Sequence, residues 1–337
     1  MALQNCAIVP MNTFLNNTYH IPNYQREYSW ETNELSDFWE DLNTIREDSG
    51  DHFFGQIVVH SDLEQQKKYI IDGQQRTITS TIFMRTLQYF YEAIYMDHQI
   101  KAAFYKASDI SAIHIGRYTD PHDDQLHLHL GELDNDYFRE NIQLGNPENA
   151  EKKPKKSLDR MRKAYLFFYD KVKKELNHLT NVEDKLALLN KYFVNFTQKF
   201  RILYMEATEL DEAFVIFETL NARGKELETA DLLKNFIFSK GRDIDQAQKQ
   251  WNSMLNALDK SDPTKFVRHF WNSSRAFARE KDLYREISRG IDSPRASREL
   301  LEALANMLSV IMTSYLLKKT WALVTAHSLK VFVRSNY

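Results

Sequence analysis

Between Lys67 and Ile94 the chain changes its hydrophobic period once, and abruptly. Lys67 to Asp72 (KKYIID) carries β-branched and aromatic residues in the manner of a short strand. Asp72-Gly73 interrupts it. Beyond the glycine, Ile78, Ile82, Leu87, Phe90, Tyr91 and Ile94 fall at the spacing of a long helix. Upstream, Phe53 to His60 (FFGQIVVH) is a second strand, and the polar stretch Ser61 to Gln66 is short enough for a hairpin connection. The N-terminal part is therefore mixed α and β.

The rest of the chain extends this reading. Polar residues in Ser29 to Thr32 offer N-caps for a helix with Leu35, Phe38, Trp39, Leu42 and Ile45 on its buried side. Asp120 to Asn149 is polar and turn-rich, with Leu126, Leu128 and Leu130 alternating with His127 and His129 as in a single strand. Asn146-Pro147 and the lysine-rich stretch Lys152 to Lys156 mark a hinge, which places a domain division after residue 150. Amphipathic helices follow at 158–176 and 182–196, then a short strand at Phe200 to Met205, then helices to the end. The expected fold class is α+β: residues 1–150 as the mixed core and 151–337 as a mostly α-helical domain.

Composition bounds the setting. With 43% hydrophobic and 27% charged residues the chain suits a soluble globule. One cysteine, Cys6, excludes an internal disulfide framework and fits a reducing, cytoplasmic location. The most apolar stretch, Leu300 to Leu317, contains Glu302, Asn306, Ser309 and Thr313, as a buried helix would, so no membrane partner is expected. The net charge of −3 hides an asymmetry: from Lys260 onward there are 14 basic and 7 acidic residues. A basic C-terminal part can attract DNA, and it can equally be a solvated helical surface.

A strand running through an Asp-Gly turn into a helix is a physical recipe for binding an anion. The first backbone N–H groups of a helix lack internal partners, and the helix dipole is positive there. Gly73 lets the backbone turn tightly and approach a ligand. Arg76 offers a planar fork for phosphate oxygens. Gln74 and Gln75 add amides, Thr77 and Thr79 add hydroxyls, and Asp72 can hold a divalent ion or orient a water. The same residues also suit an ordinary β-turn followed by a helix with a polar first turn. The chain lacks the Gly-Lys-Ser/Thr ending of a Walker loop.

Four blocks carry a family resemblance: IPNYQREYSW at 21–30, FFGQIVV at 53–59, YIIDGQQRTIT at 69–79 and FETLNARGKELETADLLKN at 217–235. In this order they resemble the N-terminal domain of GmrSD-type restriction enzymes, a domain shared with sensors of modified DNA. The resemblance covers the chain from about Asn12 to its last helices. It implies a ParB/sulfiredoxin-like core with a helical extension. It also implies binding and hydrolysis of a nucleoside triphosphate with Mg²⁺ at the Asp-Gly-Gln-Gln-Arg turn, with Asp72 and Arg76 as catalytic residues and Asp72 as the metal ligand. The nucleotide site it implies comprises Gln25, Arg26, Gly73, Gln74, Gln75, Arg76 and Thr77. Modified DNA is the implied partner, and its cleavage is implied to belong to a separate His-Asn-His nuclease domain or subunit. The chain ends at Tyr337 without such a motif, as a stand-alone sensor subunit or a truncated chain would. It is not expected to cut DNA alone, and homo-oligomerisation is left open.

The other blocks admit two readings each. Tyr24, Tyr28 and Trp30 can stack on a base, or Tyr28 and Trp30 can anchor the arm to the core. Trp30 is assigned to the core, Gln25 and Arg26 to function, and Tyr24 and Arg26 to DNA contact. In 217–235, Asn221, Arg223, Lys234 and Asn235 either satisfy one another at a helix–turn–helix junction or face the nucleotide. Gly224 is placed to end the first helix, and Thr229 to cap the second. The alternating leucines explain the histidines at 122, 127 and 129 without a metal.

Overall fold

A strand that nothing in the composition of the N-terminus announces, β1 (Leu3–Pro10), opens the computed structural model. The structure describes residues 3–23, 25–45, 50–221, 229–240, 244–258, 262–275, 277–291 and 293–308. After β1 come α1 (Met11–Leu15), β2 (Tyr19–His20), α2 (Thr32–Thr44), β3 (His52–Asp62), β4 (Lys67–Asp72), α3 (Gln74–His98) and α4 (Lys101–Ile110). They are followed by β5 (Gly116–Tyr118), β6 (Asp124–Leu126), β7 (Leu128–His129), α5 (Glu132–Phe138), α6 (Lys156–Asn177), α7 (Val182–Val194), β8 (Phe200–Ala207) and α8 (Leu210–Asn221).

Six of the strands form one mixed sheet in the order β1-β8-β3-β4-β2-β7. β8 runs antiparallel to β1 and parallel to β3, and β3 and β4 form the expected antiparallel hairpin. The fold is therefore α+β, as expected. The division after residue 150 does not coincide with the compact units, which are Met1–Ala222 and Arg223–Tyr337. The reason is β8. The segment read as a short strand among helices lies between β1 and β3, so the sheet is not complete until residue 207.

One smaller expectation is met and another corrected. The cap of α2 is Glu31, within the polar stretch Ser29 to Thr32, in a reciprocal capping box with Glu34. The single strand at 126–130 is broken in two: β6 pairs with β5, β7 pairs with β2, and the His127 N–H between them bonds to the Ile115 carbonyl at 2.8 Å. The period was right, since Leu126, Leu128 and Leu130 are all buried, but the backbone changes partner at its midpoint.

The core is built around α3. Every residue from Thr77 to Leu87 is buried, including Thr77, Thr79, Ser80, Thr81, Arg85 and Thr86. The hydroxyls of Thr77, Ser80, Thr81 and Thr86 each donate to the carbonyl four residues back, which satisfies these side chains inside the core. Around it, Phe38, Phe54, Phe83, Phe168, Phe196 and Phe200 meet mostly edge to face. α8 packs against β3, β4 and β8 through buried Ala213, Phe214 and Phe217.

The second unit contains α9 (Thr229–Lys240), α10 (Ile244–Leu258), α11 (Pro263–Ser274) and α12 (Leu283–Gly290), and residues 294–308 are also helical. α11 starts with Asp262 accepting from the Thr264 and Lys265 N–H groups and with Pro263 at its first position. Its core includes Leu233, Ile237, Trp251, Val267, Trp271, Leu283 and Ile287. Gly224, and the part of the apolar C-terminal segment beyond residue 308, lie outside the described residues. No helix among the described residues is long and apolar enough to cross a membrane.

Candidate anion-binding site

The site is assembled where β4 meets α3. Gly73 is the N-cap of α3 and adopts φ +92°, the left-handed region. A Cβ there would lie 2.7 Å from Ile57 Cγ1 and 3.1 Å from the Gln56 carbonyl, so both the turn and the close approach of β3 require glycine. Thr77 turns its N–H and its hydroxyl back onto the Gly73 carbonyl, at 3.0 Å each, closing the first turn. Gln74, Gln75 and Arg76 then carry the first-turn N–H groups that have no acceptor within the helix.

Arg76 is held from β3. Its Nη1 donates to the Gln56 carbonyl at 3.0 Å. The guanidinium lies over Gly55, where a Cβ would come within 2.7 Å of Nε and 2.9 Å of Cζ. Gly55 adopts φ +121° beside a register shift between Phe53 and Gly55. A glycine inside a β-branched strand commonly marks a bulge or a close approach, and this one marks both.

Asp72 is bonded on each side. Its Oδ1 accepts from the Gly73 N–H at 2.8 Å and its Oδ2 from the Gln56 side-chain amide at 3.2 Å. Burial pushes its carboxyl above the usual range, and Arg76, Gln56, the Gly73 N–H and Arg26 pull in the opposite direction. Mg²⁺ commonly takes one or two carboxylates together with phosphate oxygens, and Asp72 fits that donor set through its remaining lone pairs. Among the described residues no group of three His, Cys, Asp or Glu side chains comes together to hold a metal without a ligand's help.

The arm at 25–29 closes the other side. Gln25 Nε2 donates to the Ile71 carbonyl at 2.9 Å. Gln75 donates to the Glu27 carbonyl at 3.1 Å and accepts from the Ser29 N–H at 2.8 Å, so both ends of its amide hold the arm. Tyr28 is buried and its hydroxyl meets Thr79, and Trp30 packs half-buried against the core. Gln74 donates to the Arg26 carbonyl at 3.1 Å, while its Oε1 is buried without a partner. The Arg26 side chain is exposed beside the turn.

The structure thus brings together Gln25, Arg26, Asp72, Gly73, Gln74, Gln75, Arg76 and Thr77. Gln75 and Thr77 have their side chains engaged in holding the site. Tyr24 and Arg223 lie outside the described residues, as do the side chains of Asn221 and Asn235. Lys234 lies half-buried on α9 in the second unit. Sequence reasoning missed Gly55 and Gln56 as site residues. The histidines at 127 and 129 are engaged in the fold: His127 Nδ1 lies 3.1 Å from the Leu15 carbonyl, and the His129 ring stacks on His20 at 4.6 Å.

Compared with known protein families, the chain matches the model described as the GmrSD restriction endonuclease N-terminal domain over residues 11–238. Both strands of the hairpin, the glycine turn, the arm and α3 fall inside the matched span. No curated protein matches the chain.

Proposed function

The chain belongs to the GmrSD restriction endonuclease N-terminal domain family, and from that premise we propose that it is the nucleotide-dependent sensor module of a restriction system acting on modified DNA. The nucleoside triphosphate sits at the β4–α3 turn. Arg76 and the first-turn N–H groups of α3 take its phosphates, and Gln25, Arg26 and Gln74 border it on the arm side. Asp72 is the residue that would hold Mg²⁺, and the ion would supply charge neutralisation there. The core is of the ParB/sulfiredoxin-like kind, and DNA cleavage falls to a His-Asn-His nuclease domain or subunit.

One observation carries the reading: the Arg76 guanidinium is set over Gly55 and tied to the Gln56 carbonyl at the open end of the helix dipole. A cation fixed by backbone is already arranged for phosphate charge before the ligand arrives. In the hydrolytic step, Arg76 stabilises charge developing on the terminal phosphoryl oxygens while Asp72 orients the attacking water. Turnover is slow, as suits a switch. The test is phosphate release from the purified chain with Mg²⁺ and each nucleoside triphosphate. Wild type is expected to release phosphate, and Asp72→Ala and Arg76→Ala are expected to release none while keeping native circular dichroism. Unchanged release in both variants would sink the assignment.

A second reading, binding without hydrolysis, is favoured by the state of Asp72. Both its oxygens already accept hydrogen bonds and burial favours its protonated form, which weakens it as a metal ligand. Stoichiometric nucleotide binding with no phosphate release would select it.

A further inference from the structure

The segment between α11 and α12 presents the most exposed large hydrophobic side chain among the described residues, Phe277 at 79%. A single exposed hydrophobic residue needs no explanation by itself. Here three further features converge on it. The backbone beside it is fixed: the Asn272 side chain donates to the Ala278 carbonyl at 3.1 Å and accepts from the Ala278 N–H at 2.7 Å, and Ala278 is buried. The exposed ring therefore stands next to a residue whose backbone is fixed. Next to it lies an open cavity of about 320 Å³ lined by Arg268, His269, Asn272, Phe277, Arg279 and Glu280 among others. Arg268 and Arg279 line the cavity with Glu280, and Arg275 lies two residues before Phe277 in the chain.

The arginines are oriented but not used up. Arg275 lies over the Trp271 ring at 4.9 Å, Arg268 pairs with Glu280 at 3.0 Å and Arg279 with Asp282 at 2.9 Å. A guanidinium in such a pair keeps further N–H groups for a second anion. An outward aromatic ring between arginines, beside a cavity, is the chemistry that takes a nucleobase with its adjoining phosphates.

We propose that this loop is a nucleic-acid contact in which Phe277 stacks on an unpaired base of DNA while Arg275 and Arg279 hold the neighbouring phosphates. The assignment rests on the reading of the chain as a DNA-sensing module, but not on nucleotide binding at Arg76. It places a DNA contact in the second unit.

The experiment uses the full chain and short oligonucleotides carrying 2-aminopurine, single-stranded and as a duplex with an unpaired base. Fluorescence gives the Kd and reports stacking directly, and phosphate release without DNA is followed in the same preparations. Phe277→Ala is expected to weaken binding about tenfold and to abolish the 2-aminopurine quenching. Phe277→Trp is expected to restore both. Arg275→Gln with Arg279→Gln is expected to lower the salt dependence of log Kd by about 1.4, at about 0.7 per single-strand phosphate. Loss of DNA affinity in Phe277→Ala with no phosphate release in any sample supports the loop and removes only the hydrolytic reading of the turn. Wild-type affinity and quenching in Phe277→Ala overturn the proposal, as does a wild-type chain that binds no oligonucleotide. A changed oligomeric state in Phe277→Ala with unchanged DNA affinity makes the loop a protein contact and also overturns it.

Discussion

The β4–α3 turn and the loop after α11 both carry arginine and lie near aromatic side chains, yet they are built on opposite principles. At the turn, function-bearing groups are fixed by backbone: Gly55 and Gly73 remove Cβ atoms, the Gln56 carbonyl anchors Arg76, and Gln75 is committed to holding the arm. At the loop, Asn272 fixes the backbone and leaves Phe277 projecting into solvent. The first arrangement ties stability to function at its glycines, because a Cβ at Gly55 or Gly73 meets neighbouring groups at under 3 Å. The second separates them, because Phe277 can be removed without opening a cavity.

The largest expected effect acts on the first unit as a whole. Burial, with His129 and Lys67 nearby, lowers His20 to about 4, and burial with His127 and Lys106 lowers His114 to about 4. A histidine near 6.5 when unfolded and near 4 when folded is protonated first in the unfolded chain. Stability therefore falls as pH drops from about 6.5 toward about 4 and is indifferent to these groups below that. At about 1.4 kcal/mol per unit, with the share of partly exposed His20 discounted for solvent screening, the pair amounts to about 3 kcal/mol or somewhat more. Denaturant melts across this range, with His20→Gln flattening part of the slope, check it. A pH-independent midpoint would contradict it.

Next in size is Gly73→Ala, which forces a Cβ against Ile57 in a left-handed conformation and is expected to cost about 3 kcal/mol. Gly50→Ala, with nothing within 4 Å of its Cβ, should leave the chemical-denaturation midpoint unchanged. Equal effects of the two would break the contrast between a backbone-built site and ordinary surface.

Asp72→Asn is expected to stabilise the fold by about 1 kcal/mol while ending phosphate release. Asp72 is raised by burial, so its ionised form costs stability at neutral pH, and that cost is relieved as pH falls through its folded value. A lower melting temperature for Asp72→Asn would show that its hydrogen bonds outweigh its desolvation. The smallest effect is on the stability of Phe277→Ala, expected to stay within about 0.5 kcal/mol of wild type by thermal melting. A larger loss would mean that Phe277 packs rather than projects.

Much of the first region is legible from local signals. The hairpin, the glycine corner and the helix follow from a change of hydrophobic period within 30 residues, and the quoted blocks point to the family. What is not legible depends on partners distant in sequence. β1 pairs with β8 across nearly 200 residues, so neither strand's place in the sheet can be read locally. Gln74 and Gln75 are identical in type and adjacent. Only the position of the arm separates one with an unpartnered oxygen from one fully engaged. Gly55 carried a usable signal, a glycine in a β-branched run, but that signal says close approach without saying to what. Phe277 had none, since an aromatic between helices reads as core until its exposure is known.

The central claim is that a nucleotide binds at the β4–α3 turn through Arg76 as Gly55 positions it. The direct test is equilibrium binding of each γ-labelled nucleoside triphosphate with Mg²⁺ to wild type, Arg76→Ala and Gly55→Ala, with folding checked by circular dichroism. At least one nucleotide should bind wild type at one per chain. It should be lost in Arg76→Ala and weakened about tenfold or more in Gly55→Ala, which keeps every binding group but displaces the guanidinium. Equal binding to all three folded proteins would contradict the account.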